Sequence, residues 1–272
     1  MPLRLMAVLA HPDDESLGFG GTIAKYGSAG VETFLVTATR GERGRYREFA
    51  AGEPGHPGPQ ELGRIREAEL QAAAAVLGIR DVAVLDYGDG ALDRADHREA
   101  IERIAWHVRR HRPHVVITFA PDGAYGHPDH IAVSQMASAA VVAAADPGLA
   151  RATFPGPHAV SKLYYLAWPE STWTAYQRAF KTLGATVDGV ARQAVPWPEW
   201  AITTAIDARE HWPVVWQAVS CHESQVAVYG RLKDLAAEHH EMLWGRQSFY
   251  RAFSTVNGGR QREFDLFEGI TP

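Results

Sequence analysis

Short, wholly apolar runs alternate with longer stretches of helical period through the first half of the chain. Leu5–Ala10 and Val115–Phe119 carry no polar alternation, the pattern of strands buried on both faces. Val31–Thr37, rich in β-branched residues, and Val82–Leu85 complete a set of four predicted strands. Glu15–Ser28, closing at Gly30, reads as a helix, as do Gln60–Leu77, ending at Gly78, Asp96–Arg112 and Asp129–Ala145. Strand and helix alternating four times predicts a mostly parallel sheet covered by helices on both faces, a Rossmann-like doubly wound α/β fold. Arg43–Pro59 holds four glycines and three prolines and reads as a surface loop, long enough to serve as a lid.

The pattern changes after a Pro/Gly stretch at Asp146–Pro157. Strands are expected at Leu163–Trp168 and Ile202–Ile206, helices near Glu210–Ser220 and Arg231–Trp244, and irregular structure elsewhere. No repeat or low-complexity tract is visible. The expectation is one domain over 1–272, with 1–145 as the core holding the chemistry and 146–272 completing the wall of its pocket.

Composition narrows the function. The 46% apolar and 22% charged fractions are those of a globular chain. A net charge of −5 argues against coating nucleic acid or an anionic membrane. No run approaches the ~20 apolar residues of a membrane span. The first apolar run meets His11-Pro12-Asp13-Asp14-Glu15 at once, unlike a signal peptide, so a cytoplasmic protein is expected. The single cysteine, Cys221, has no internal disulfide partner, whereas thirteen histidines point to imidazole and carboxylate chemistry.

Two motifs concentrate that chemistry. His11-Pro12-Asp13-Asp14-Glu15 lies where the first strand turns into a helix, and His127-Pro128-Asp129-His130 lies in the matching place after the fourth. Either alone reads as a proline-initiated helix with acids complementing its dipole. In a sheet of order 3-2-1-4, however, strands one and four are neighbours at the switch point where ligands bind. Three histidines and three aspartates in one crevice call for a cation. Imidazole with carboxylate oxygen suits one zinc ion, three protein ligands leaving a position for water. Gly18-Phe19-Gly20-Gly21 is no dinucleotide fingerprint: it falls inside the helix, whose acidic N-terminus repels phosphate.

With these residues in view, the sequence resembles the LmbE-like/PIG-L-like family of zinc-dependent N-acetylglucosaminyl deacetylases. Ala10-His11-Pro12-Asp13-Asp14-Glu15 and Gly126-His127-Pro128-Asp129-His130 match its two motifs. Thr39-Arg40-Gly41-Glu42-Arg43-Gly44, Arg66 with Glu69, Asp89, and His222 with Ser224-Gln225 agree further. One departure is Gln247 before Phe249, where many members carry glutamate. The resemblance implies His11, Asp14 and His130 as zinc ligands and Asp13 as general base. It gives His127, as imidazolium, the oxyanion and the leaving amine, with Asp129 orienting its ring. Arg66 and Asp89 are then expected against sugar hydroxyls, Glu42 at the same rim, and His222 on the pocket wall.

The substrate implied is a small N-acyl amino sugar or its conjugate. The Thr39–Gly44 loop and an excess of arginine over four lysines point to GlcNAc–inositol deacetylases of low-molecular-weight thiol biosynthesis, beside antibiotic-sugar and chitooligosaccharide deacetylases. The alternatives are a zinc amidase or esterase on a non-sugar or thiol-conjugate substrate, and a non-catalytic carbohydrate-binding module. A Cys221–His222 hydrolase is disfavoured, since adjacent residues rarely face each other. His107, His111 and His114 read as a solvated basic face. Trp168, Trp173, Trp197, Trp200, Trp212 and Trp216 suit core packing, sugar stacking or the interface of a homo-oligomer.

Overall fold

In the computed structural model, residues 2–149, 154–173, 184–187, 189–225, 227, 230–259 and 261–271 are described. Residues 150–153 of the Asp146–Pro157 stretch lie outside them. Nine strands are present among these residues: β1 Arg4–Leu9, β2 Glu32–Thr39, β3 Ile79–Tyr87, β4 Val115–Phe119, β5 Lys162–Leu166, β6 Gly184–Val187, β7 Val190–Gln193, β8 Thr204–Asp207 and β9 Arg246–Ser254. Seven form one sheet in the order β3-β2-β1-β4-β5-β9-β8, while β6 and β7 pair as a separate hairpin. The first five are parallel, and β9 and β8 add antiparallel strands. The fold is the expected α/β arrangement with β1 beside β4, and strands from both halves of the chain share one sheet.

The helices are α1 Asp14–Leu17, α2 Gly20–Ser28, α3 Pro59–Leu77, α4 His97–His111, the short kinked turn α5 Gly123–Gly126, α6 Pro128–Ala145, α7 Trp212–Cys221 and α8 Ala237–Trp244. Proline at the first position starts α3, and Gly78 ends it at φ +75°, a conformation that glycine adopts without strain. Leu62, Leu70, Ala73, Ala74 and Leu77 form its buried stripe. The Asp96 carboxylate caps α4 by accepting the Glu99 N–H. α4 packs on α6, and α2 and α3 pack on α7, giving the two helical layers. Leu5, Leu9, Val116, Ile117, Phe19 and Leu70 are nearly inaccessible in the core between them. No described helix is long and apolar enough to cross a membrane.

Several elements differ from expectation. The helix expected over Glu15–Ser28 breaks at Gly18-Phe19. A side chain on Gly21 would collide with the Trp244 carbonyl and one on Gly20 with Val215, so these glycines admit the second half of the chain. Gln247 bridges the break: its amide oxygen accepts the Thr22 N–H at 2.6 Å and its amide nitrogen donates to the Gly18 carbonyl at 2.6 Å. The helix expected from Arg231 starts at Ala237, after a 3₁₀ segment at Gly230–Asp234. β9 and the β6–β7 hairpin were not read from the sequence.

The tryptophans divide. Trp173 and Trp244 are buried in a second cluster with Val215, Val219, Leu232 and Leu243, against which Trp168, Trp212 and Trp216 pack. Trp200 is 83% exposed. The histidines of α4 are not a solvated face: His111 packs on Phe34 and lies 3.4 Å from Asp81 Oδ2. Burial pushes His107 down to about 4. Arg109, on the same helix, donates to the carbonyls of Ala144 and Leu149 and so closes the C-terminus of α6.

The C-terminal segment is fastened by one buried carboxylate. Glu263 accepts from Lys162 Nζ at 2.7 Å, Tyr164 Oη at 2.8 Å and Thr204 Oγ1 at 2.9 Å, and pairs with Arg251 at 2.8 Å. Burial opposes its charge, but these donors hold it down at about 2.

Candidate metal centre and active site

Both histidine motifs meet beyond the carboxyl ends of β1 and β4. His11 Nδ1 and His130 Nε2 are 3.3 Å apart, and the Asp14 carboxylate lies 3.7 Å from the first and 3.4 Å from the second. A tetrahedral zinc with bonds of about 2.0–2.1 Å separates its ligand atoms by about 3.3–3.4 Å, so these three donors fit such an ion. The far side of the His11 ring agrees. Its Nε2 faces Asp129 Oδ2 at 3.1 Å and Asp89 Oδ1 at 3.2 Å, the carboxylate support that metal-binding imidazoles require. Asp14 is aimed by the Ala10 and His11 N–H groups, both donating to its Oδ2. His130 lies flat on Phe119, ring centroids 3.9 Å apart.

Burial is the largest electrostatic influence on all three donors. Burial pushes Asp14 up to about 7. Burial also works against charge on His11, but Asp129, Asp89 and Asp14 lift it well above the ordinary imidazole value. His130, buried beside that charge, is driven well below it.

Asp13 turns back toward the crevice from a left-handed backbone, φ +98° and ψ −24°, a strained conformation for any residue with a side chain. Arg66 Nη2 donates to Asp13 Oδ2 at 3.0 Å and to the Pro12 carbonyl. Its Nη1 donates to the Gly41 carbonyl at 2.7 Å, an approach only glycine permits, since a Cβ on Gly41 would strike the guanidinium. Arg66 is therefore 4% exposed and held against Asp13. Glu42 and Asp89 do stand together: Glu42 Oε1 accepts the Asp89 N–H at 2.8 Å, and Asp89 Oδ2 accepts the Arg43 N–H at 2.9 Å.

Three placements depart from expectation. The Asp129 carboxylate bonds His11 and the N–H groups of Gly90 and Leu92, not the His127 ring; only its backbone N–H reaches His127, at Nδ1, 3.2 Å. An Nδ1 that accepts an N–H carries no proton, so this geometry suits a neutral His127 with its proton on Nε2. Burial and the His11 charge agree, holding His127 down at about 4. Third, His222 is fully buried and paired with an acid. Its Nε2 donates to Glu15 Oε1 at 2.7 Å, both side chains without exposed surface. Cys221 bonds the Gln217 carbonyl, not His222.

The sequence reading missed Glu15 and Tyr125. Glu15 was quoted only as part of its motif, although a third acid in one cleft signals a distant partner. Tyr125 packs edge-on against His130 and His127, ring centroids 5.3 and 5.8 Å away.

Comparison with known proteins adds independent evidence. Residues 6–141 match the family described as PIG-L, GlcNAc-PI de-N-acetylase. A 1D-myo-inositol 2-acetamido-2-deoxy-alpha-D-glucopyranoside deacetylase of Kineococcus radiotolerans is 35% identical, covering 100% of this chain and 84% of that protein. Two solved structures share the fold. The N,N'-diacetylchitobiose deacetylase of Pyrococcus horikoshii superposes with TM-score 0.65 at 20% identity, over 99% of this chain and 86% of its own. The 4-carboxy-2-hydroxymuconate hydratase GalB of Pseudomonas putida gives 0.69 at 21% identity, over 94% and 99%. Deacetylation and hydration both occur on this scaffold, so the chemistry must be argued from the residues.

Proposed function

Since the chain belongs to the GlcNAc-PI de-N-acetylase family, whose members are metal-dependent N-deacetylases, we propose that it is a zinc-dependent enzyme that removes the acetyl group from an N-acetylglucosaminide with a small polyol aglycone, inositol foremost. The observation that carries this is the donor set His11, Asp14 and His130 at tetrahedral spacing beside a separately held carboxylate. A single domain working in the cytoplasm suits the reading.

His11, Asp14 and His130 would hold the zinc, which when bound acidifies a water and polarises the amide carbonyl. Asp13, unused as a ligand and aimed by Arg66, takes the proton from the attacking water and returns it to the departing nitrogen. His127 offers Nε2–H to the amide oxygen as negative charge gathers there, its ring fixed by the Asp129 N–H on Nδ1. Asp129 and Asp89 keep His11 oriented. Asp89 and Glu42 form the rim against which sugar hydroxyls are read. The products are acetate and a free amino sugar.

The test is amine release from N-acetylglucosaminides of differing aglycone, with generic esters and amides alongside. Asp13→Ala should keep its zinc while turnover falls by about 10²–10⁴-fold. Absence of amine release from every glucosaminide overturns the substrate class, and zinc lost in parallel with activity overturns the role of Asp13.

A further inference from the structure

Glu15 takes no part in the mechanism above, yet it is fully buried next to the metal centre and bonded on every side. Its Oε2 accepts the Asp13 N–H at 2.9 Å; its Oε1 accepts Ser16 Oγ at 2.6 Å and His222 Nε2 at 2.7 Å. The first of these bonds falls on the residue with φ +98°. A left-handed aspartate persists only when its surroundings over-determine it, and here the restraint on its N–H is the Glu15 carboxylate. Two residues of one helical turn cannot alone fix a side chain as long as glutamate. His222, which follows α7 in the other half of the chain, supplies the remaining constraint from a position with no exposed surface.

The segment after α7 grips the same neighbourhood twice more. The Ser224 N–H and Oγ donate to the two Glu69 oxygens, each at 2.7 Å, one turn along α3 from Arg66. Gln225 Nε2 donates to the Arg45 carbonyl. Arg66 in turn holds the Asp13 carboxylate. Asp13 is therefore restrained at its backbone through His222 and Glu15, and at its side chain by an arginine whose helix is fastened by Ser224.

We infer that His222 is a positioning residue for the reaction: acting through Glu15, it holds the strained backbone of Asp13 so that the carboxylate points at the water rather than relaxing away. The inference rests on the proposed role of Asp13 as base. The hydrogen bond of the His222 ring runs from Nε2 to Glu15, and its Nδ1 has no hydrogen-bond partner.

That asymmetry supplies the experiment. A glutamine amide reaches the position of an imidazole Nε2, whereas an asparagine amide reaches only that of Nδ1. His222→Gln should keep kcat within about threefold of the parent. His222→Asn should lower kcat by about 10–100-fold, the usual scale for a supporting residue, with KM and zinc content within about twofold. In an Asp13→Ala background the difference between the two variants should disappear, because a residue acting through Asp13 has nothing left to position. Equal kcat for the glutamine and asparagine variants overturns the inference, as does a difference that persists without Asp13. Crystal structures of the two variants test it without turnover: Asp13 should stay at positive φ in His222→Gln and leave it in His222→Asn. An Asp13 unchanged in both sinks the inference even when amine release succeeds; a wild type inactive on every glucosaminide sinks the substrate reading, while the backbone comparison still decides the role of His222.

Discussion

Gln247→Glu probes the junction between the two halves of the chain with a change of one atom type. Gln247 is 5% exposed and uses both ends of its amide, accepting from Thr22 and donating to Gly18. A carboxylate keeps the first bond and loses the second, turning an oxygen toward the Gly18 carbonyl. The orphaned carbonyl costs about 1–3 kcal/mol, and charge burial adds to it until the glutamate takes up a proton. A destabilisation of about 2–4 kcal/mol at pH 7 follows, or roughly 4–8 °C in Tm at about 2 °C per kcal/mol for a chain of this length. The pH dependence carries a definite sign. A proton on the new carboxyl restores a donor toward Gly18, so its folded-state pKa lies above the unfolded value of about 4.3. The folded state then binds more protons, and stability falls as pH rises through that window. Urea and thermal unfolding of both proteins between pH 4 and 8 should show a gap that is small at the acid end and widest above neutrality. Equal stability at pH 7, or a gap that does not change with pH, refutes the reasoning.

Two further outcomes are expected. His130→Ala should purify without stoichiometric zinc, as should the wild type after chelation, with activity restored by zinc in the wild type alone; a fully metallated variant removes His130 from the ligand set. Glu263→Gln leaves Lys162 and Arg251 without their buried partner and should cost about 3–5 kcal/mol near neutrality. Because Glu263 is held at about 2, its contribution is present above the unfolded value and is lost as pH falls from about 4.5 toward 2. The variant should lack that part of the acid dependence, and acid unfolding curves of identical shape for the two proteins would contradict it.

What the sequence revealed followed from how each element is buried. β1 and β4 are enclosed on both faces and therefore read as unbroken apolar runs, which located both histidine motifs at neighbouring strand ends. β9 did not read as a strand because Arg246, Gln247 and Arg251 interrupt it, and the partners of Gln247, Gly18 and Thr22, lie at the other end of the sequence. The glycines at 18, 20 and 21 were visible, but the close approach of the Trp244 carbonyl to Gly21 was not, since it comes from the other end of the chain. His222 was expected on the pocket wall from the family resemblance, and its buried acid partner, 207 residues away, could not be read from the sequence. The pairing of Arg66 with Asp13 was hidden similarly: nothing in the spacing of 66 from 13 announces that the guanidinium bonds that carboxylate.

The arrangement around Asp13 also has a consequence for how the protein is made. All three proposed zinc donors lie within the first 130 residues, whereas His222 leaves the ribosome about ninety residues later. A nascent chain thus carries the complete ligand set before Glu15 has its partner and before Asp13 is pinned. On the proposed ligand set, capture of the ion and readiness for hydrolysis become separable events during synthesis, the later one waiting for the C-terminal half to dock.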